Sequence, residues 1–301
     1  MLSRQLGQNF LRNKRTARRL VHSAGGEPDL LCVDLGAGTG SVTDSAVAIR
    51  TGPILAVEYD QRLVSQLASR YDSDPRVTVL AADLLEAPLP NEPFVIAANP
   101  PFNTSTKLVR RWMLSPLFVS GALIVETSFA RRVSGFYGAT KLSLSLAPFL
   151  ALEIGAVVRP AEFTPAPKVA TVILTTERRA QPGVSADDSS SYWAFVNYLF
   201  ERGSRTVGES LDPLLRRGVP RSLASLAVRD LDAAVVIEFF AAHIRGDQRC
   251  SLRIQAFEDQ LPAARRWSNL FPQSSGQSDR LTEPQGRPSR AVPTQRTRMA
   301  P

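Results

Sequence analysis

Residues 30–40 read LLCVDLGAGTG, an apolar run interrupted only by Asp34 and closed by three glycines that alternate with small residues. A short apolar run bounded by glycine is the pattern of a strand buried on both faces, as in a parallel sheet. Gly36, Gly38 and Gly40 permit a tight turn and a close approach of backbone to a ligand. The next stretch, SVTDSAVAIR (41–50), carries its apolar residues at helical spacing. Strand, glycine turn and helix in this order form the opening unit of a doubly wound α/β fold.

The same alternation extends outward. PILAVEY (53–59), VTVLAAD (77–83), FVIAAN (94–99) and GALIVET (121–127) read as buried strands, with the helical patterns QRLVSQLASRY (61–71) and STKLVRRWML (105–114) between them. ALEIGAVVR (151–159) and KVATVILTTE (168–177) follow without a helix between them. FTPAPK (163–168) is too short for a crossover, so these two strands are expected to pair antiparallel. The expected fold class is α/β, a Rossmann-like seven-stranded sheet, mostly parallel with an antiparallel last strand. A basic helix is expected over residues 14–24. QPGVSADDSS (181–190) has the composition of a linker. Beyond it YWAFVNYLFERG (192–203), GESLDPLLRR (208–217) and LDAAVVIEFFAAH (231–243) show helical periodicity. The expected organisation is a catalytic domain over 1–180, a small helical domain over 190–267 and a disordered basic tail over 268–301.

Composition narrows the function classes. With 44% hydrophobic residues, the 301-residue chain can bury a core, yet it has no apolar run long enough for a membrane span. The N-terminal residues lack the apolar stretch of a secretory signal. Cys32 and Cys250 stand far apart, which fits a reducing cytoplasm without disulfides. His22 and His243 are the only histidines, so no metal site is expected. The net charge is +8 and both termini are basic, with Arg4, Arg12, Lys14, Arg15, Arg18 and Arg19 unopposed by any acid in residues 1–19. Such a distribution favours a polyanionic partner such as nucleic acid.

Asp34 before G-x-G-x-G resembles the S-adenosylmethionine loop of Rossmann-like methyltransferases. Dinucleotide folds place the third glycine one residue later. Two further strand tips carry acids. Glu58, about 20 residues past the loop, is placed to bond ribose hydroxyls, and Asp83 to accept from an adenine exocyclic amine. The fourth strand ends in Asn99-Pro100-Pro101-Phe102. Two prolines cannot continue a central strand. The Asn99 side-chain oxygen and the Pro100 carbonyl can both accept from an adenine amine, whose lone pair is otherwise delocalised into the ring. Rigid prolines hold these acceptors in advance, and Phe102 offers a stacking face for an extruded base.

Gln8-Asn9-Phe10-Leu11, DLGAGTG, Glu58, Asp83, Asn99-Pro-Pro-Phe102 and Phe163-Thr-Pro165-Ala-Pro167-Lys-Val169 together resemble the rRNA adenine N6-methyltransferases. That superfamily includes the Erm-type 23S rRNA enzymes and the 16S rRNA dimethyladenosine transferases. The resemblance implies that Gln8, Asn9 and Leu11 close the pocket of S-adenosylmethionine. Asp34, Gly36, Gly38, Glu58, Tyr59, Asp83, Leu84 and Asn99 would hold that cofactor. Asn99, Pro100, Phe102 and Phe163 would hold the target adenine. Family members commonly carry Ile or Leu where Pro100 stands, and often Tyr where Phe102 stands. A proline still presents its carbonyl. Of the two rRNA branches the Erm type is favoured, because it tolerates Phe102 and includes members with Arg/Pro/Gln-rich C-terminal extensions. The implied partner is 23S rRNA, methylated at the macrolide-binding site by a monomer.

Three other readings stay open: a 16S rRNA dimethyltransferase, a DNA or protein-glutamine amino-methyltransferase sharing Asn-Pro-Pro-aromatic, and a non-catalytic RNA-binding relative. Arg110, Arg111, Arg131 and Arg132 could line an RNA path or simply cover solvated helix faces, and Lys168 could meet a phosphate. Trp112 reads as packing, and both histidines as structural.

Overall fold

The computed structural model describes residues 9–201, 206–215 and 218–262. The glycine-bounded apolar run forms β2 (Leu31–Leu35), buried along its whole length. It is followed by α2 (Ser41–Ile49), β3 (Ile54–Glu58), α3 (Gln61–Tyr71), β4 (Val77–Ala81) and β5 (Phe94–Ala98). The sheet continues with β6 (Phe118–Glu126), β7 (Leu150–Val158) and β9 (Thr171–Arg178), and a two-residue β8 (Phe163–Thr164) lies between the last two. The seven strands run in the order β4-β3-β2-β5-β6-β9-β7. β9 is antiparallel to both neighbours, and the other pairs are parallel. This is the expected sheet. The switch point of the winding lies at β2, so the tips of β3, β2 and β5 open a crevice at the carboxyl edge, where ligands of open α/β sheets bind.

Strand alternation divides the core between two faces. Val95 and Ala97 of β5 and Ala122 and Ile124 of β6 pack with Ala17, Leu20 and Val21 of α1 (Lys14–Ser23) and Val42 and Ala46 of α2. Phe94, Ile96, Ala98, Leu123 and Val125 point the other way, into a larger cluster. That cluster takes in α4 (Ser105–Leu108), which continues through a widened turn at Val109–Met113, together with α5 (Thr127–Val133) and α6 (Lys141–Leu146). The helical region packs onto the same cluster. Its elements are α7 (Ser189–Glu201), α8 (Val207–Leu211), α9 (Arg221–Ala224), α10 (Ala233–Phe239) and α11 (Gln248–Gln260). Residues of the linker-like 181–190 segment are held in place: the Gly183 N–H donates to the Pro148 carbonyl at 2.8 Å, and Val184 is buried. Tyr192 Oη and Trp193 Nε1 donate to the Leu144 and Ser145 carbonyls of α6, each at 3.0 Å.

Several elements differ from the sequence expectation. α5 and α6 are seven and six residues long, too short for a 3.6-residue period to stand out. They form because Phe129, Ala130, Val133, Leu142, Leu144 and Leu146 find a ready apolar surface. The pattern read over 208–217 contracts to the five residues of α8, and α11 lies beyond the last helix expected. β1 (Phe10–Leu11) pairs antiparallel with β8, Leu11 opposite Phe163 and Phe10 opposite Thr164. No local pattern announces two-residue strands so far apart in sequence. Residues 268–301, expected to be a basic tail, lie outside the described residues. No helix among the described residues is long and apolar enough to cross a membrane.

Trp112 is fully buried, sits edge-on to Phe94 with ring centroids 6.1 Å apart, and donates from Nε1 to the Leu84 carbonyl at 2.7 Å. It therefore couples α4 to the loop after β4. Trp112→Ala should cost about 3–5 kcal/mol through the cavity and the orphaned carbonyl. Urea denaturation checks this; an unchanged midpoint would mean the loop is held by something else.

Candidate active site

The carboxyl tips of β2, β3, β4 and β5 enclose a cavity of about 390 Å³, within the size range of small-molecule sites. Of the site residues expected from the sequence, Asn9, Leu11, Gly36, Gly38, Glu58, Tyr59, Asp83, Leu84, Asn99, Pro100 and Phe102 line it. Gln8 lies outside the described residues. Asp34 and Phe163 do not line the cavity, for reasons of packing described below.

The glycine loop is shaped by what presses on it. Gly36 has φ +78°, and a Cβ there would meet Pro101 at 3.4 Å and Pro100 at 3.6 Å. Gly38 has φ +57°, and a Cβ would come within 2.9 Å of the Phe10 ring. Both positions adopt the left-handed conformation that favours glycine, and at Gly38 the ring leaves no room for a side chain. The loop is thus wedged between the proline motif and the N-terminal segment. Ser41 Oγ also donates to the Leu11 carbonyl, binding that segment to the start of α2. Phe10 and Pro101, legible in the sequence only as members of their motifs, and Ser41, which no motif marks, also line the cavity.

Glu58 is buried and holds the loop electrostatically. Its Oε2 accepts from the Gly38 N–H at 2.8 Å, and its Oε1 from the N–H groups of Tyr59 and Asp60 at 2.9 and 2.8 Å. A carboxylate offers about four lone-pair sites, so one acceptor position is left for a ligand hydroxyl. Asp83 is exposed and accepts from the Leu85 N–H at 2.8 Å. Tyr59 is 65% exposed at the rim.

Asn99 carries the most specific geometry. Its Nδ2 donates to the Asn9 carbonyl at 2.8 Å, while its Oδ1 is buried with no hydrogen-bond partner. A backbone carbonyl can only accept, so this contact decides which end of the amide is nitrogen. An unpaired buried oxygen at a cavity wall calls for a donor from outside the protein. Pro101 is already spent, its carbonyl accepting from the Thr104 N–H and Oγ1 at 3.0 and 2.6 Å. The Pro100 carbonyl is therefore the motif's second candidate acceptor. Phe102 is half-buried and lines the cavity.

The remaining candidates sit elsewhere. Phe163 is buried in the cluster beneath Leu11, because β8 pairs with β1 and turns the ring inward. It offers no open stacking face to the cavity. Arg111 donates to the Ala87 carbonyl at 2.7 Å, bracing the β4–β5 loop. Arg110 is half-buried, and burial lowers its pKa. The Arg131 guanidinium lies over Phe136 and Tyr137, that of Arg132 over Phe129, and Lys168 is exposed on the β8–β9 connection.

Asp34 lies behind the loop, 1% exposed, with Oδ2 accepting from Thr43 Oγ1 at 2.7 Å and Oδ1 unpartnered. Burial pushes its pKa up from 3.8 to about 7, with Glu58 adding to the rise and the Thr43 hydroxyl opposing it. An acid whose folded pKa exceeds its unfolded value loses stabilisation as pH rises between the two, here from 3.8 to about 7. Asp34→Asn should therefore gain stability relative to the wild type across that window, on the order of 4 kcal/mol, and level off above it. Denaturation of both proteins at a series of pH values tests this, and parallel curves would refute it.

Residues 2–235 match the family described as ribosomal RNA adenine dimethylase. An rRNA adenine N-6-methyltransferase of Aeromicrobium erythreum is 34% identical over 230 residues, 76% of this chain and 66% of that protein. One from Saccharopolyspora erythraea is 30% identical over 75% of this chain and 58% of its own length. One from Streptomyces fradiae is 32% identical over 78% of this chain and 74% of its own length. The chain thus spans somewhat less than two-thirds of the first two relatives. The crystal structure of the 23S rRNA methyltransferase ErmE superposes with a TM-score of 0.69 at 26% identity, covering 82% of this chain and 100% of that one. A dimethyladenosine transferase from Plasmodium falciparum shares the fold, with a TM-score of 0.63 at 18% identity over 78% of this chain and 99% of that one. With a family match over residues 2–235 and relatives at 30–34% identity, the chain belongs to the ribosomal RNA adenine dimethylase family.

Proposed function

We propose that this protein is an S-adenosylmethionine-dependent methyltransferase that modifies N6 of one adenine in 23S rRNA at the macrolide-binding site, conferring resistance to macrolides and related drugs. The observation that carries the reading is Asn99, whose amide nitrogen is held by Asn9 while its oxygen is buried without a partner at the cavity wall. The likeness to the 23S rRNA methyltransferase ErmE supports the choice of 23S rRNA, and the names of the curated relatives support an rRNA adenine as the target. An rRNA substrate implies work in the cytoplasm, here as a monomer, with residues 1–180 performing catalysis and 190–267 docking RNA.

The cavity suits the cofactor. Glu58 keeps one acceptor position that a ribose hydroxyl would fill, Asp83 and Leu84 line the cavity where they would hold an adenine, and the glycine loop admits close backbone approach. When bound, S-adenosylmethionine supplies an electrophilic methyl group on a sulfonium. The chain's own residues prepare the nucleophile. Asn99 Oδ1 and the Pro100 carbonyl accept hydrogen bonds from the two N–H groups of the target amine, drawing the nitrogen toward a tetrahedral form with a directed lone pair. Phe102 stacks on the extruded ring. Because Asn9 and the prolines hold these acceptors beforehand, little reorganisation is left for the transition state. The buried Phe163 supports this surface through β8 and Leu11.

Asn99→Ala should leave S-adenosylmethionine affinity within about threefold by calorimetry yet lower turnover about 100-fold or more, the scale of losing one preorganised polar contact. Equal loss of both would place Asn99 in the cofactor site only. Expression in a macrolide-susceptible host should raise resistance, with primer extension stopping at one 23S adenine. Unchanged susceptibility with methylation of adjacent 16S adenines would transfer the protein to the dimethyladenosine transferase branch.

A further inference from the structure

After β6, the chain leaves the same carboxyl edge of the sheet that bears Asn99, because β6 is parallel to β5 and adjacent to it. It forms α5 and then a turn, Gly135-Phe136-Tyr137-Gly138. Phe136 and Tyr137 are 66% and 69% exposed, two of the most open large side chains described. Their rings meet edge to face, 5.1 Å apart at 85°. The Arg131 guanidinium lies 5.5 Å from one centroid and 5.3 Å from the other, and it also donates to Tyr137 Oη.

This turn is built to hold its rings outward. Gly135 and Gly138 both have positive φ, +75° and +105°. The Gly138 N–H donates to the Gly135 carbonyl and the Phe136 N–H to the Arg131 carbonyl, each at 2.9 Å. A Cβ on Gly138 would lie 2.6 Å from the Arg229 carbonyl, which also accepts from the Ala139 N–H. The turn is therefore anchored to the helical region as well as to α5. Beside it an open groove of about 680 Å³ runs toward the β7 edge, walled by Phe136, Arg131 and the exposed Val157. Rigid exposed aromatic rings need a partner with a flat apolar face.

The surrounding charge selects that partner. Arg159 and Arg229 have side chains 86% and 80% exposed, Arg229 beside Asp230 and Arg159 beside Glu162. On α5, Arg131 stands over the Phe136 and Tyr137 rings of the turn and Arg132 over Phe129, and Glu153 is the acid lining the groove. Cations interleaved with aromatic faces are the surface on which unpaired bases stack while the backbone follows the charge.

We propose that Phe136 and Tyr137, braced by Arg131, form a stacking platform for an unpaired base of the RNA substrate flanking the target adenine, separate from the Asn99 pocket. The inference rests on the reading of the protein as an RNA methyltransferase. The platform contributes RNA affinity and register, and no part of methyl transfer.

The test compares wild type, Phe136→Ala/Tyr137→Ala, Phe136→Leu/Tyr137→Leu and Tyr137→Phe. The probe is a 23S rRNA fragment covering the macrolide-binding site, with 2-aminopurine at single unpaired positions. Thermal melts and S-adenosylmethionine calorimetry establish that each variant is folded. The Ala and Leu pairs should both weaken RNA binding about tenfold, the scale of one lost base–aromatic stack, and raise KM with kcat nearly unchanged. Tyr137→Phe should bind as the wild type does. Fluorescence quenching at one position other than the target adenine should vanish in both pairs. RNA affinity within twofold of wild type in the Ala pair overturns the platform, and loss of self-association instead would assign the patch to a second copy. Leucines that restore binding also overturn it, since they keep apolar bulk without a π face. If the fragment is never methylated but an unpaired RNA still needs the two rings, the substrate assignment fails and the platform stands.

Discussion

The hydrogen bond from Asn99 Nδ2 to the Asn9 carbonyl, 2.8 Å long and spanning 90 residues of sequence, sets the chemistry of the site. An amide side chain is nearly symmetric in shape, so nothing in its own bonding decides which end faces the cavity. A carbonyl that can only accept makes that decision. The N-terminal segment must then be held firmly, and it is held in four ways. β1 pairs with β8, Phe10 fills the space left by the missing side chain of Gly38, the Leu11 carbonyl accepts from Ser41, and the Arg12 N–H donates to the Glu162 carbonyl at 2.8 Å. What resembles a peripheral strand is a wall of the candidate site.

Two carboxylates at neighbouring strand tips illustrate how environment divides identical chemistry. Glu58 is buried but receives three backbone N–H groups, and it organises the glycine loop. Asp34 is buried with Thr43 as its donor and one bare oxygen, so desolvation dominates and raises its pKa toward neutral pH. The difference arises from the turn after β3, which aims successive N–H groups at Glu58. The β2 tip directs its N–H groups instead to the Val57 carbonyl.

The helical region is continuous with the sheet's larger core through α6, whose carbonyls receive the Tyr192 and Trp193 donors. Lys141 on α6 binds both Asn197 and Glu201 of α7, and Asn197 in turn donates to the buried Glu258 of α11 at 2.8 Å. The region is thereby held in a set orientation relative to the catalytic edge. Under the proposed function, a surface that docks RNA beside a site that takes up adenine depends on such fixed geometry.

LLCVDLGAGTG determined by itself that a parallel strand would end in a ligand-accommodating turn, since continuous apolarity and glycine spacing act through local sterics and burial alone. The repeated apolar runs determined the seven-stranded sheet. The short FTPAPK connection determined its antiparallel end. Asn99-Pro100-Pro101-Phe102 was legible as a tip bearing acceptors and a ring, because prolines exclude a continuing ladder. Tertiary structure alone decided the rest. Phe163, whose motif pointed to the adenine, is turned into the core by a pairing with Leu11 that no local pattern encodes. Arg111, legible only as a charge on a helix, braces a loop. The direction of the Asn99 amide depends on a carbonyl 90 residues away. Local sterics and periodicity are written along the chain, whereas the partner of each polar group is settled only when distant segments are brought together.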